Sequence, residues 1–351
     1  MQDAPQDTPR DASRDAARHA PGGGTGESAG RSRGTEGQDA LFDRLAELDA
    51  ERHFFRRLDA QHSALHARCG TRTLVVTFEQ VEAVVGDGEE EPMPLGFRLG
   101  DEFGWSCLTL MALGPTWFRA EAVWDFFDEL IDEEFFDAFD RVLFAGAGLA
   151  AHAACAYSVA APGATVMAFA PQATLNPEFA AFDHRFEEWR RLDFTSRYGY
   201  APDMLDAAAE AHIFFDPSID EDAAHAAQFN RRHIRRHRLW HFGENPAQLL
   251  EAGDTLTRLF ELYDRGRLTT GEIARILRER RQNRAYLVRL VERLVARDRK
   301  RLAAIVCHNA AERLDMPRFR ARRDALAAEL AAEGVSLPFA PPAEAAEEAR
   351  A

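Results

Sequence analysis

The segment from Arg141 to Ser158, RVLFAGAGLAAHAACAYS, joins an apolar strand to an alanine-rich helix through a turn of small residues, Gly146-Ala147-Gly148-Leu149-Ala150-Ala151. A strand that turns this sharply into a helix needs small side chains where the two backbones approach. The same strand-then-helix rhythm repeats around it. Thr73 to Phe78, Trp105 to Leu110, Ala164 to Phe169, Ala211 to Phe215 and His233 to Leu239 are short apolar runs separated by helix-sized segments. That alternation predicts an α/β chain with a doubly wound, mostly parallel sheet covered by helices on both faces.

The best inter-strand helix follows Arg119, with Val123, Phe126, Phe127, Leu130 and Ile131 at helical spacing and Asp125, Asp128, Glu129 and Asp132 opposite them. Upstream, Leu41, Leu45, Leu48 and Phe55 are read as one face of an amphipathic helix. From about Pro246 the strand-like runs stop. Amphipathic helices follow at Leu256 to Tyr263, at Thr270 to Arg281, around Leu287, Leu290, Val291 and Leu294, and around Leu302, Ile305 and Val306. The chain therefore divides into 1–38, expected to be disordered; 39–245, the sheet domain; 246–333, a helical C-terminal region; and 334–351, a disordered tail.

Charge narrows the partners. A formal net charge of -15 over 351 residues disfavours nucleic acid and anionic membrane surfaces, which are themselves negative. The arginines of the C-terminal region are interleaved with Glu272, Glu279, Glu292, Asp298 and Glu312, which reads as a solvated helical face. Arg231 to Arg238 is the one dense basic cluster; an edge strand open to solvent accounts for it, and an anionic ligand or acidic partner is the alternative. No apolar run approaches the ~20 residues that cross a bilayer, and no secretory leader is read after Met1. Four cysteines, Cys69, Cys107, Cys155 and Cys307, are far apart, which gives no disulfide or metal framework and favours the cytoplasm. No metal and no cofactor are expected.

Two functional readings compete for the turn. As a nucleophile elbow, G-x-S-x-G, it has Gly146 and Ala150 as the small flanks and Gly148 where the nucleophile would stand. As a dinucleotide fingerprint, G-x-G-x-x-G/A, it is matched by Gly146, Gly148 and Ala151. A dinucleotide fold opens with this turn and carries an acid about 20 residues on. Here about two strands precede it, and the next strand ends Phe169-Ala170-Pro171-Gln172 with no acid. In the elbow reading an acid and a histidine follow in chain order. Asp216 stands directly after the strand ending at Phe215, while Glu244 occupies the expected base position and His241 lies three residues earlier.

These features, with GWSCLTL, TWF, PGATVMAF, PQATLNP, RYGYAPDM and FFDP between Thr73 and Glu244, resemble a bacterial family built on the α/β-hydrolase fold, some of whose members lack the catalytic serine. The resemblance implies that Gly148 matches the nucleophile, Asp216 the acid and Glu244 the base, with Gly146, Gly148 and Leu149 available to a ligand. Ala150, Ala151 and His152 depart from the Gly-Gly-Tyr of serine-bearing relatives. The family is often labelled phosphoadenosine phosphosulfate reductase, yet neither the SGG-type loop nor the E-C-G-L-H motif of such a reductase is present.

Each residue also has a purely structural explanation. Asp216 before Pro217 suits a turn, and Asn245-Pro246 suits a helix start. His152, Cys155 and Cys307 suit helix packing, with Cys307 half-buried. His241 paired with Asp216 could activate a water. The expected function is a catalytically degenerate hydrolase-like protein that binds a small ligand or a protein partner. The alternatives are a hydrolase or acyltransferase using another nucleophile or an activated water, and a nucleotide-binding oxidoreductase.

Overall fold

In a computed structural model the described residues are 37–48, 52–86 and 91–339. Of the two terminal segments for which disorder is expected, 1–38 and 334–351, residues 1–36 and 340–351 lie outside them. Eight strands of the described residues, β1 (His53–Arg57), β2 (His62–Ala67), β3 (Thr73–Gln80), β4 (Ser106–Ala112), β5 (Arg141–Ala147), β6 (Thr165–Phe169), β7 (Glu210–Phe215) and β8 (Ile234–Arg238), form one sheet. Their order is β1-β2-β4-β3-β5-β6-β7-β8. Pairing is antiparallel at β1–β2 and β2–β4 and parallel from β4 through β8. This is a doubly wound, mostly parallel sheet of the α/β-hydrolase type, followed by C-terminal helices.

The helices before β8 are α1 (37–46), α2 (Val81–Val85), α3 (Leu95–Phe103), α4 (Glu121–Asp132), α5 (Leu149–Tyr157), α6 (Pro177–Ala180), α7 (Ala201–Met204) and α8 (Asp220–Gln228). After β8 come α9 (Pro246–Glu251), α10 (Thr255–Asp264), α11 (Thr270–Leu277), α12 (Arg284–Ala296), α13 (Lys300–Leu314) and α14 (Pro317–Ala332). None of the described helices is long and apolar enough to cross a membrane.

The central strands are apolar without alternation because both faces are covered. Leu74, Val76, Phe78, Phe144 and Ile213 face α4, α5 and α7, while Val75, Leu143, Met167 and Phe214 face α3 and the helices after β8. The residue-246 boundary is therefore a change of element type: Leu259, Phe260, Ile273, Val291 and Cys307 share one core with that second sheet face. On the first face Tyr157 stacks on Phe127 at 4.4 Å and on Phe78 at 5.6 Å between ring centroids. Each such ring contributes roughly 1.5–3 kcal/mol by leaving water. Helix α5 is buried almost all round, and its alanines let its backbone lie close to β3, β5 and β6.

Several expectations need correction. Phe55 lies in β1, not on the first helix, although its ring stacks on Phe42 at 5.6 Å and so completes the same cluster as Leu41 and Leu45. HFFRR and HSALHA did not read as strands because an edge pair mixes polar and apolar residues freely. Ile131 is exposed although Val123, Phe126, Phe127 and Leu130 are buried. In α13 the buried face is Ala303, Ala304, Cys307, Ala310 and Ala311, with Leu302 outside and Cys307 fully rather than half-buried. There α13 packs closely on α12 and α14, and small residues permit that approach. The basic run is the edge strand β8, with Arg235, Arg236 and Arg238 exposed and His237 inward.

Candidate functional site

Strand β5 delivers the chain to the carboxyl edge of the sheet, where Gly148 stands at φ 58°, ψ -125°. Side chains rarely adopt that backbone conformation, and a nucleophile elbow imposes such strain on its nucleophile. A Cβ at Gly148 would meet nothing within 4 Å, so the position opens onto free space. Gly146 has the opposite character. A Cβ there would overlap the carbonyl of Ala150, so this glycine serves the approach of strand to helix. The Gly148 amide donates to Phe169 O at 2.8 Å, and its carbonyl accepts from Ala151 and His152, starting α5. Leu149 and Ala150 open the helix, where amides have no intrahelical acceptor.

Register across the edge aligns Ala147 with Phe169, Phe169 with Phe214, and Phe215 with Arg238. Gly148, Ala170 and Asp216 thus leave neighbouring strands at one end of the sheet, with β6 between the first and last. Two strand spacings separate β5 from β7, about 9–10 Å. His241 and Glu244 follow β8 on the far side of Asp216.

Asp216 is fully buried and fully engaged. Its Oδ1 accepts from the Ser218 amide at 2.9 Å, the Ser218 hydroxyl at 2.6 Å and the His241 amide at 3.1 Å. Its Oδ2 accepts from the Gly243 amide at 2.8 Å and Arg293 Nη1 at 3.0 Å. A carboxylate offers about four lone-pair sites, so these five donors saturate it. Burial pushes the acid's pKa up, but the Ser218 hydroxyl and the surrounding amides outweigh burial and hold the carboxyl below the usual range. His241 meets it through its backbone, at φ 67°, and the ring Nδ1 is buried without a partner. Burial first, then the neighbouring Arg293, Arg297 and Arg280, lower the His241 pKa against the pull of Asp216. Glu244 is exposed; beside it Asn245 caps α9 by accepting from Gln248 N at 3.3 Å, with Pro246 in the first turn.

Strain gathers along this edge. Trp117 and Phe118, consecutive residues after β4, have φ 49° and 55°, and Ala170 after β6 has φ 52°. Such outliers in bulky residues are held only by over-determining contacts. Here the Tyr157 hydroxyl donates to Phe118 O at 2.6 Å, Phe118 N donates to Thr116 Oγ1 at 3.1 Å, and Trp117 packs against Phe186 and Phe194. Leu149, next to Gly148, joins that aromatic cluster.

A second polar cluster lies under the segment after β6. His225 accepts from Ala173 N at 3.2 Å and donates to Asp183 at 3.1 Å, both side chains fully buried. Arg185 bridges Asp183 and Asp222 at 2.7 and 2.9 Å. Burial tends to raise the Asp183 pKa, but His225 and Arg185 outweigh it and hold it far down. Asp222 moves the other way, up to about 6: burial dominates, and the help of Arg185 is offset by Asp183 and Asp216. Sequence alone missed this cluster and Arg293, because, Asp183 and Arg185 aside, the partners are 37 to 77 positions apart. Ser218 was accessible, since Asp-Pro-Ser is a local turn pattern.

His152 and Cys155 are fully buried on α5. His152 Nδ1 donates to Gln172 O at 3.0 Å, and burial drives its pKa down to about 3. Among the described residues no group of three or more side chains is placed to hold a metal ion. Three clefts among the described residues are lined by residues other than Gly148, Asp216 and His241.

No protein-family model matches the sequence, and no curated protein does. Solved structures with a similar fold include an esterase from the hyperthermophilic archaeon Pyrobaculum calidifontis, 14% identical over 70% of this chain and 95% of that one, TM-score 0.41. Esterase LipW from Mycobacterium marinum is 14% identical over 70% and 90%, TM-score 0.42. Carboxyl esterase 2 from the fungus Tuber melanosporum is 13% identical over 66% and 97%, TM-score 0.38. At these values nothing about activity passes from those proteins to this one.

Proposed function

We propose that this chain keeps the strand-to-helix turn of a serine hydrolase without its chemistry and acts by binding. The observation that carries this reading is Gly148, which holds the backbone conformation of an elbow nucleophile with open space at its Cβ and has no hydroxyl to offer. Asp216 supports it, because its lone pairs are taken by backbone amides, Ser218 and Arg293 and none is left to orient an imidazole. A hydrolase without its nucleophile retains only the weak catalysis of binding and oxyanion donors. The ligand is a small molecule or a protein, and the net charge of -15 speaks against nucleic acid and anionic membranes.

A fluorophosphonate probe and a panel of esters and thioesters test this reading. No serine labels and no ester turns over above background. Labelling of a serine at the sheet edge sinks the proposal, as does turnover that falls in His241→Ala. A second reading, hydrolysis by an activated water, is favoured by the unpartnered Nδ1 of His241 beside Asp216. The same panel decides between them.

A further inference from the structure

The helices after β8 carry a pair of adjoining clefts away from the elbow. Helices α12 and α14 enclose a mostly apolar cleft of about 350 Å³, floored by Val288, Val291 and Phe319 and edged by Ala325. A larger cleft of about 780 Å³ lies between α12 and the turn joining α9 to α10, and Val288, Glu292 and Arg318 line both. Volumes of this size accommodate a small organic ligand.

The charge around the clefts runs against that of the whole chain. Arg284, Arg289 and Arg318 line the larger cleft and Arg322 the apolar one, and none of the four forms an ion pair among the described residues. Arg289 donates to Phe242 O, which leaves its charge uncompensated. Glu279 is taken up by Arg258, so the free carboxylates of the lining are Asp254 and Glu292. Four unpaired arginines against two carboxylates make a local excess of positive charge in a protein of net charge -15. A neutral ligand would leave those guanidinium groups unused, and a small polar anion would leave the apolar floor wet.

We propose that the joined clefts bind a single-chain amphiphile with an anionic head. The chain lies on Val288, Val291 and Phe319, and the head is held by Arg318 at the seam and Arg284 in the larger cleft. The one apolar cleft takes one chain, and the planar guanidinium fork matches a carboxylate or phosphate head.

Isothermal calorimetry on the full chain tests the assignment, with laurate below its micellar concentration compared with methyl laurate and acetate. Laurate binds with one site per chain, and methyl laurate and acetate bind at least about tenfold more weakly, the scale of one lost charge-assisted hydrogen bond. Arg318→Gln weakens laurate by about tenfold for the same reason. Ala325→Trp, at an exposed position, fills the apolar cleft and abolishes binding. Circular dichroism and the unfolding midpoint establish that both variants fold. Absence of laurate binding, equal binding of the methyl ester, or affinity unchanged in both variants overturns the proposal. So does concentration-dependent sedimentation of the wild type that Ala325→Trp removes, since a second copy of the chain then fills the groove. Ester turnover would overturn the reading of Gly148 and leave this one standing.

Discussion

Arg293, in the last turn of α12, donates to Oδ2 of Asp216 at 3.0 Å, and so ties the C-terminal helices to the carboxyl edge of the sheet. The contact joins residues 77 positions apart and places a guanidinium on the carboxylate that follows β7. The same carboxylate gathers the turn after β8 through the His241 and Gly243 amides. Asp216 thus acts as a hub on which three elements close.

Arg293 is half-buried, and four donors remain on Asp216 when it is removed. Arg293→Ala is therefore expected to cost about 1.5–3 kcal/mol, the scale of one charge-assisted hydrogen bond, measured as the shift in urea unfolding free energy. The Asp216 carboxyl lies below its ordinary range, so its contribution is present above the unfolded-state pKa and lost as pH falls through the folded one. The wild type should lose stability on acidification below about pH 4, and Arg293→Ala should lose less. A variant as stable as the wild type would show that the pair holds nothing.

Gly146 and Gly148 should respond differently to alanine. At Gly148 there is room for the methyl group, so the cost is backbone strain alone, ~1–3 kcal/mol. At Gly146 the methyl group overlaps the Ala150 carbonyl, so strand and helix must separate and the loss should be larger. Unfolding midpoints of the two variants give the comparison. Gly148→Ser should fold and still resist fluorophosphonate, because Asp216 has no lone pair left to orient an imidazole toward the hydroxyl.

Asp222 has a raised pKa, about 6, with burial as the main cause. For an acid whose folded pKa exceeds the unfolded value of about 3.9, the folded state binds more protons between the two. This group's contribution to stability therefore declines as pH rises from about 4 to about 6. Asp222→Asn should remove that decline, seen as a flatter plot of unfolding free energy against pH over that window. An unchanged slope would assign the decline to other groups.

Tyr157→Phe deletes the hydroxyl that holds Phe118 O at 2.6 Å under a strained loop. The expected loss is about 1–2 kcal/mol, and amide exchange at 116–119 should quicken more than in β5. Uniform acceleration across the sheet would instead indicate a global effect.

The sequence by itself determined the parallel strands from β3 to β8, the small-residue turn around Gly148, and the helix start at Asn245-Pro246. Those features are local: apolar runs, residue size and capping chemistry act within a few positions. It did not reveal β1 and β2, whose mixed composition suits an edge and carries little periodicity. Nor did it reveal that α9 to α14 share the second face of the sheet, that Cys307 lies deep on an alanine face, or that Arg293 meets Asp216. Those depend on which elements pack together, and spacing along the chain holds no record of a contact made 77 positions away. Only the tertiary structure could show that the Asp216 carboxylate is already saturated, because its five donors come from three separate segments.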